Sequence, residues 1–298
     1  MQLLDAIKVR QSSPWRDEIV AFSQLAIPLA SAQLAQSATG FADTIMMGRM
    51  GGDVLAAGGL AAIVFVSIMV VAGGFVTGVS PLVAEAFGAG KIARIQQLSR
   101  QGLWLALLVT LPAMLLVHRL VPILLWLGQD DATVRLAGDY FRIMQWGLLP
   151  AVGFAALRST VSALSEARPV MNIMVIGTAF NIAGNYALGF GKLGLPRLEL
   201  TGLAIASTLS LWVMFIALAL YVQYHPRLRH YRLLQDLQRF RGATLWRLIR
   251  IGVPIGLFSA LETGFFTLIT IWMGTLGTAT LAGHQIVFQT IVLVFMVP

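Results

Sequence analysis

Met47-Gly48-Arg49-Met50-Gly51 returns 226 residues later as Met273-Gly274-Thr275-Leu276-Gly277, and this pair decides the fold. The same offset lays Ile27-Pro28-Leu29 on Val253-Pro254-Ile255, and Leu55-Ala56 on Leu281-Ala282, with no gap. A register held through two apolar segments and the turn between them marks an internal repeat. It sets the seventh and eighth apolar spans on the first and second, so the repeating unit is six spans long.

The spans themselves follow from the thickness of a bilayer. A hydrocarbon core of about 30 Å takes about 20 residues of helix. Windows of that kind fall at 19–47, 54–80, 101–120, 134–157, 169–190, 201–224, 249–274 and 279–298. Helices are expected because lipid cannot satisfy open backbone groups, and no ten-residue alternation of the outer-membrane barrel type occurs. The composition agrees: of 298 residues 57% are hydrophobic and only 11% charged, more apolar surface than a soluble globule of this length can hide.

Basic residues orient the spans. One side of the membrane holds Lys8, Arg10 and Arg16; Lys91, Arg94 and Arg100; Arg158 and Arg168; and Arg227, Arg229, Arg232, Arg239, Arg241, Arg247 and Arg250, 15 of the 21 in the chain. That side is expected to be the cytoplasm of a multi-pass inner-membrane protein whose N-terminus is cytoplasmic. The net charge of +8 would suggest nucleic acid in a soluble protein, but these cations lie between apolar runs and form no single stripe, so no nucleic-acid partner is expected. Zero cysteines exclude a disulfide framework, a thiolate nucleophile and a Cys-ligated metal.

Residues 1–32 imitate a secretory signal up to Ala30-Ser31-Ala32, but the apolar run continues to Met47 and has a repeat partner, so it reads as a retained first helix. The chain then divides into a cytoplasmic segment 1–18, a first lobe 19–224, a basic inter-lobe loop 225–248 and the start of a second lobe at 249–298. The loop reads as a solvated linker, or as an amphipathic helix on anionic headgroups from Arg227 to Arg250. Six crossings return the chain to the face where it began, so the two units form a parallel repeat about an axis along the membrane normal. Two such units need twelve helices; eight are present, and the sequence reads as C-terminally incomplete, stopping in the apolar Phe295-Met296-Val297-Pro298. The fold class expected is an all-α integral membrane bundle.

Two acids stand inside apolar windows. A charge near the bilayer centre costs about 3 kcal/mol or more, so it persists mainly where it faces a cavity, a partner or an ion route. Asp43 lies in Gly40-Phe41-Ala42-Asp43-Thr44-Ile45-Met46-Met47-Gly48. Its expected partners are Asn181 and Asn185, four apart on one helical face, with Ser207 and Thr208 on the next span. Those oxygens suit a small cation, with Asp43, Asn181 and Asn185 as a candidate Na⁺ site, or else a hydrogen-bond network around a protonated Asp43. Simple helix–helix glue is the plainer alternative. Glu262, eight residues past Pro254, aligns with Gln36 in the repeat, so the two lobes are not chemically equivalent. It can alternate between neutral and charged as water enters.

His284 and Gln285 begin the eighth span and, with Gln36, are candidate cavity residues, although a lone His at a helix end more often packs. Pro28 and Pro254 hold matched mid-helix positions and are hinge candidates, or static kinks. Glu85 and Glu166 are expected to pair with nearby Lys91 and Arg168 at the surface. Gly73, Gly74 and Gly78, with Ala56, Ala57, Gly58 and Gly59, are expected to let helices pack closely.

At these residues the chain resembles the multidrug and toxic compound extrusion (MATE) family, NorM type. The likeness shows in Gly40 to Gly51, in Gly78-Val79-Ser80-Pro81-Leu82 running to Gly88-Ala89-Gly90, in Arg168-Pro169, in Asn181 and Asn185, and in Glu262 followed by Ala282-Gly283-His284-Gln285. It covers essentially the whole chain, and its specificity lies in the order and spacing of these motifs. The resemblance implies a twelve-helix, two-lobe antiporter that exports cationic or amphipathic drugs in exchange for Na⁺ or H⁺, without a cofactor and as a monomer, in contact with membrane lipid. It matches Asp43, Asn181 and Asn185 to the first-lobe ion site and Glu262 to the acid of the seventh helix. A further second-lobe acid of the family falls beyond Pro298.

A lipid or lipid-linked oligosaccharide flippase is the main rival. It calls for cations lining the cavity, whereas most Arg here lies in loops. An intramembrane enzyme would need Ser80 and His118 to face one another, and both lie near span ends, so no enzymatic activity is expected.

Overall fold

The computed structural model describes residues 37–192, 194–235, 238 and 240–295. Pro28 and Gln36, together with Lys8, Arg10, Arg16 and Arg239, lie outside the described residues. Regular structure among the described residues is helical throughout: α1 (37–50), α2 (Gly52–Thr77), α3 (Val79–Gly88), α4 (Ile92–His118), α5 (Leu120–Trp126), α6 (Asp131–Ala163), α7 (Ala167–Phe190), α8 (Glu199–Tyr224), α9 (Pro226–Arg229), α10 (Gly242–Thr275) and α11 (Thr278–Phe295). Among the described residues five stretches are long and apolar enough to cross a membrane: Gly52–Gly88, Ile92–His118, Ala167–Phe190, Glu199–Tyr224 and Gly242–Thr275. The helices outrun the apolar windows at several ends. Hydropathy stops at the first charges, but backbone hydrogen bonding does not, so α10 begins at Gly242 and carries Arg247 and Arg250 within it.

The repeat is visible in the backbone. Gly51 (φ 135°) and Gly277 (φ 112°) occupy equivalent turns, each with a left-handed φ that a side chain would strain. Each carbonyl then accepts the amide of an equivalent leucine, Leu55 at 3.0 Å and Leu281 at 3.1 Å. Both leucines are buried.

The core has two parts, one toward each end of the bundle. Val76, Val79, Leu98, Leu157, Val161 and Leu218 anchor the part at the basic end, and Leu60, Phe65, Leu124, Leu148, Leu200 and Leu281 anchor the other. Small residues set the helix spacing: a Cβ on Gly58 would run into Met47 and Leu200, and one on Gly59 into Gln285.

α10 lies along α2, and their closest approach is backbone on backbone. A Cβ on Gly252 would collide with the carbonyl of Phe75, one on Gly78 would sit 2.9 Å from the Gly252 nitrogen, and one on Gly74 would sit 3.0 Å from the Gly256 Cα. Further along, Ser67 and Thr267 hydroxyls bond at 2.6 Å, and the Gln129 side-chain amide donates to the Ile271 carbonyl at 2.7 Å. Pro254 lies inside α10 on its exposed side.

The connector between α8 and α10 is mostly exposed among the described residues, with two of its leucines turned inward. Leu228 and Leu233 are buried in the protein core, Tyr231 meets Phe87, Phe240 meets Trp104 edge-on, and the Gln96 amide donates to the Arg232 carbonyl. Among the described residues of the connector only the four-residue α9 is helical before Gly242. The acids nearby also find other partners than expected. Glu85 pairs with Arg247 of α10 at 3.6 Å, and Glu166 with Arg227 of α9 at 3.0 Å, cations brought close by tertiary packing and not by sequence.

Candidate functional site

α7 presents Asn181 and Asn185 one helical turn apart, and neither reaches water: they are 3% and 0% exposed. In an apolar helix such amides must bond to neighbouring helices. The Asn185 amide donates to Asp43 Oδ1 at 2.5 Å and to Asn181 Oδ1 at 3.0 Å, while the Asn181 amide donates to Ser207 Oγ at 3.0 Å. One line of polar atoms therefore joins α1, α7 and α8. Two turns of α7 earlier, Thr39 donates to Thr178 at 3.1 Å.

The Asn185 carbonyl oxygen is buried and has no hydrogen-bond partner. Together with the Asp43 carboxylate it makes the cluster rich in acceptors and poor in donors, a balance that a proton or a small cation corrects. Among the described residues no group of three or more His, Asp or Glu side chains comes together, so a cation here would rest on one carboxylate and on neutral amide and hydroxyl oxygens.

The structure brings together Asp43, Asn181, Asn185 and Ser207. Thr208 does not join them; its hydroxyl turns toward α6, to the Ile143 carbonyl at 3.4 Å and the Met144 sulfur at 3.5 Å. Adjacent residues on a helix point about 100° apart, so Ser207 and Thr208 cannot serve the same cluster. Tyr140 of α6, which the sequence did not single out, is buried and lies within electrostatic reach of Asp43. A tyrosine inside an apolar window was the available signal, masked by the charged Asp139 and Arg142 beside it.

The second acid stands elsewhere. Glu262 is on α10, about 100° around the helix from Thr263, and its side chain is exposed with no hydrogen bond or ion pair among the described residues. The flank it occupies also exposes Phe258, Leu261 and Phe265. Asp43 belongs to a polar line across α1, α7 and α8 that does not include Glu262.

His284 of α11 bonds through Nε2 to the Thr270 hydroxyl at 3.0 Å and stacks on Phe288. Gln285 is 6% exposed and packs on Gly59 of α2, with its amide nitrogen buried and unpartnered. Gln289 reaches Gly40, so α11 touches α1 as α10 touches α2.

Comparison with known proteins agrees with this architecture. The family model described as MatE matches residues 28–187. A probable multidrug resistance protein NorM from Synechocystis sp. is 51% identical over 93% of this chain and 60% of its own length. Proteins of the same description from Synechococcus sp. and Pseudomonas aeruginosa are 50% and 40% identical, over 95% and 96% of this chain and 61% and 59% of theirs. The chain thus spans about three-fifths of the length of these curated relatives. Among solved structures, the eukaryotic MATE transporter AtDTX14 superposes with a TM-score of 0.78 at 21% identity, covering 92% of this chain and 60% of that one. An inward-facing multidrug resistance MATE family transporter of the MOP superfamily gives 0.75 at 22% identity, covering 89% and 60%. The chain belongs to the MatE family, a family of multi-pass membrane transporters and not of enzymes.

Proposed function

We propose that this chain forms the Asp43-bearing part of a cation-coupled multidrug antiporter, which exports cationic or amphipathic small molecules by alternating access. The observation that carries the proposal is the Asp43–Asn185–Asn181–Ser207 line, with an Asn185 oxygen unpartnered among the described residues: a carboxylate held among acceptors, across three helices. Such a site takes up one positive charge at a time, so an incoming Na⁺ or H⁺ and a departing cationic drug compete for it. The names of the relatives support multidrug substrates.

In this reading Glu262, beside the α2–α10 contact, is the second exchange group, and His284, Gln285 and Gln36 line the space between lobes. Pro254, in α10, and Pro28 would let the helices bend as the lobes rock. The basic end of the bundle faces the cytoplasm, the N-terminus lies there, and the membrane is the inner one. The protein works as a monomer, without a cofactor. A flippase is not favoured, because the interior polar line holds a carboxylate and amides and no guanidinium to hold pyrophosphate.

The test is efflux of a fluorescent cationic dye from vesicles containing the full-length protein, under imposed Na⁺ or pH gradients. Asp43→Asn is expected to remove the gradient dependence. Gradient-driven efflux that survives unchanged in both Asp43→Asn and Glu262→Gln would overturn the assignment.

A further inference from the structure

A pocket of about 480 Å³ opens between the first turns of α7 and the last turns of α8, at the basic end of the bundle. Nothing in the transport reading uses it. Its rim carries Arg168, Arg227 and Glu166, and its wall Asn172, Ile173 and His225. Arg227 is held in place by Glu166 at 3.0 Å, whereas Arg168 is exposed with no ion pair among the described residues. The His225 ring stacks on Tyr221 at 4.5 Å, with its Nδ1 buried and without a partner.

The pocket faces away from the Asp43 cluster. On α7, Asn172 and Ile173 lie on the side opposite Thr178, Asn181 and Asn185, at 100° per residue. That outer side continues upward as exposed Ile176 and Phe180, and the neighbouring α8 adds exposed Val213, Ile216 and Leu220. In a membrane protein such exposed apolar side chains meet acyl tails. The arrangement is thus a cationic head site at the foot of an apolar groove, and the volume falls within the usual ligand range of about 300–1,000 Å³. Charge is complementary to one phosphodiester: two guanidiniums, one already offset by Glu166, leave a single positive charge, and guanidinium forks match phosphate oxygens. Basic pockets between transmembrane helices at a membrane surface recognise lipid headgroups in this way.

We infer that Arg168, Arg227, His225 and Asn172 form a binding site for the phosphodiester headgroup of an anionic glycerophospholipid, with its acyl chains laid along the α7–α8 groove. The site is independent of what the protein transports.

Native mass spectrometry of the chain, released from micelles doped with phosphatidylglycerol or phosphatidylcholine, tests it. The wild-type chain is expected to keep one phosphatidylglycerol adduct preferentially. Arg168→Gln with Arg227→Gln should weaken that adduct roughly tenfold or more. Ile173→Trp fills the floor without changing charge and should also lose it, which guards against misfolding of the double variant. Arg197→Gln, at the opposite end of α8, should retain it. Added inorganic phosphate should not displace the lipid, since it lacks the chains that fill the groove. Equal phosphatidylglycerol retention by the wild type and both pocket variants would overturn the proposal, as would loss of the adduct in Arg197→Gln or its full displacement by phosphate.

Discussion

Asp43 and Glu262 look alike in sequence, each an acid in an apolar helix, yet they stand in opposite surroundings. Asp43 is gripped by Asn185 within a line that runs on through Asn181 to Ser207 and links three helices. Glu262 makes no bond among the described residues of a chain that spans about three-fifths of its relatives' length, while the polar residues near it, Thr263, Thr267 and Thr270, bond to their own helix or to α2 and α11. The difference teaches that an intramembrane carboxylate announces a functional position but not its state. The state depends on which helices close around it.

That contrast can be broken most sharply in transport. In the full-length protein, Asp43→Asn should lower gradient-driven dye efflux by roughly 100-fold, toward the upper end of usual coupling energies, and Glu262→Gln by about tenfold. The reverse order would mean that the α10 acid leads the coupling and the α1 acid follows.

The contact that carries α10 is the next place to press. Gly252→Ala forces a Cβ into the Phe75 carbonyl and should cost about 1–3 kcal/mol of stability. Gly264→Ala, on the same helix with nothing within 4 Å of the added carbon, should be neutral or stabilise by up to about 1 kcal/mol. Thermal unfolding in detergent reads both, and equal losses would deny that backbone approach sets this interface.

The smallest effect is expected at the exposed Glu85–Arg247 pair, whose side chains are 60% and 50% accessible. Glu85→Gln should shift stability by less than about 1 kcal/mol, in the same unfolding assay.

Much of the fold is legible from hydropathy and the repeat. The 226-residue offset predicts the equivalent turns, and the structure sets Gly51 and Gly277 in matching left-handed conformations. The pairing of Asp43 with Asn185 is legible too, because a buried polar atom has few partners available in lipid, and spacing of four fixes the face. Thr208 is not, since a hydroxyl can as readily bond a backbone carbonyl or a sulfur on another helix. Tyr140 is hidden for a related reason: an aromatic hydroxyl on α6 comes within electrostatic reach of Asp43 only once distant helices are packed together. Where the connector's Leu228 and Leu233 pack is not legible, because leucines carry the same periodicity whether they meet lipid or protein.

The sequence alone determined that the chain lives in a membrane, that it is built of helices in a repeated order, and that two acids and an asparagine pair are its chemical outliers. These follow from transfer free energies and from period, both local properties of the chain. Only the tertiary structure decided which outliers meet, that Asp43 bonds to Asn185 while Glu262 makes no bond among the described residues, that leucines of the basic connector pack onto protein, and that α2 and α10 touch backbone to backbone. Those outcomes depend on distances between segments far apart in sequence, where a rotation of about 100° along a helix exchanges one set of neighbours for another.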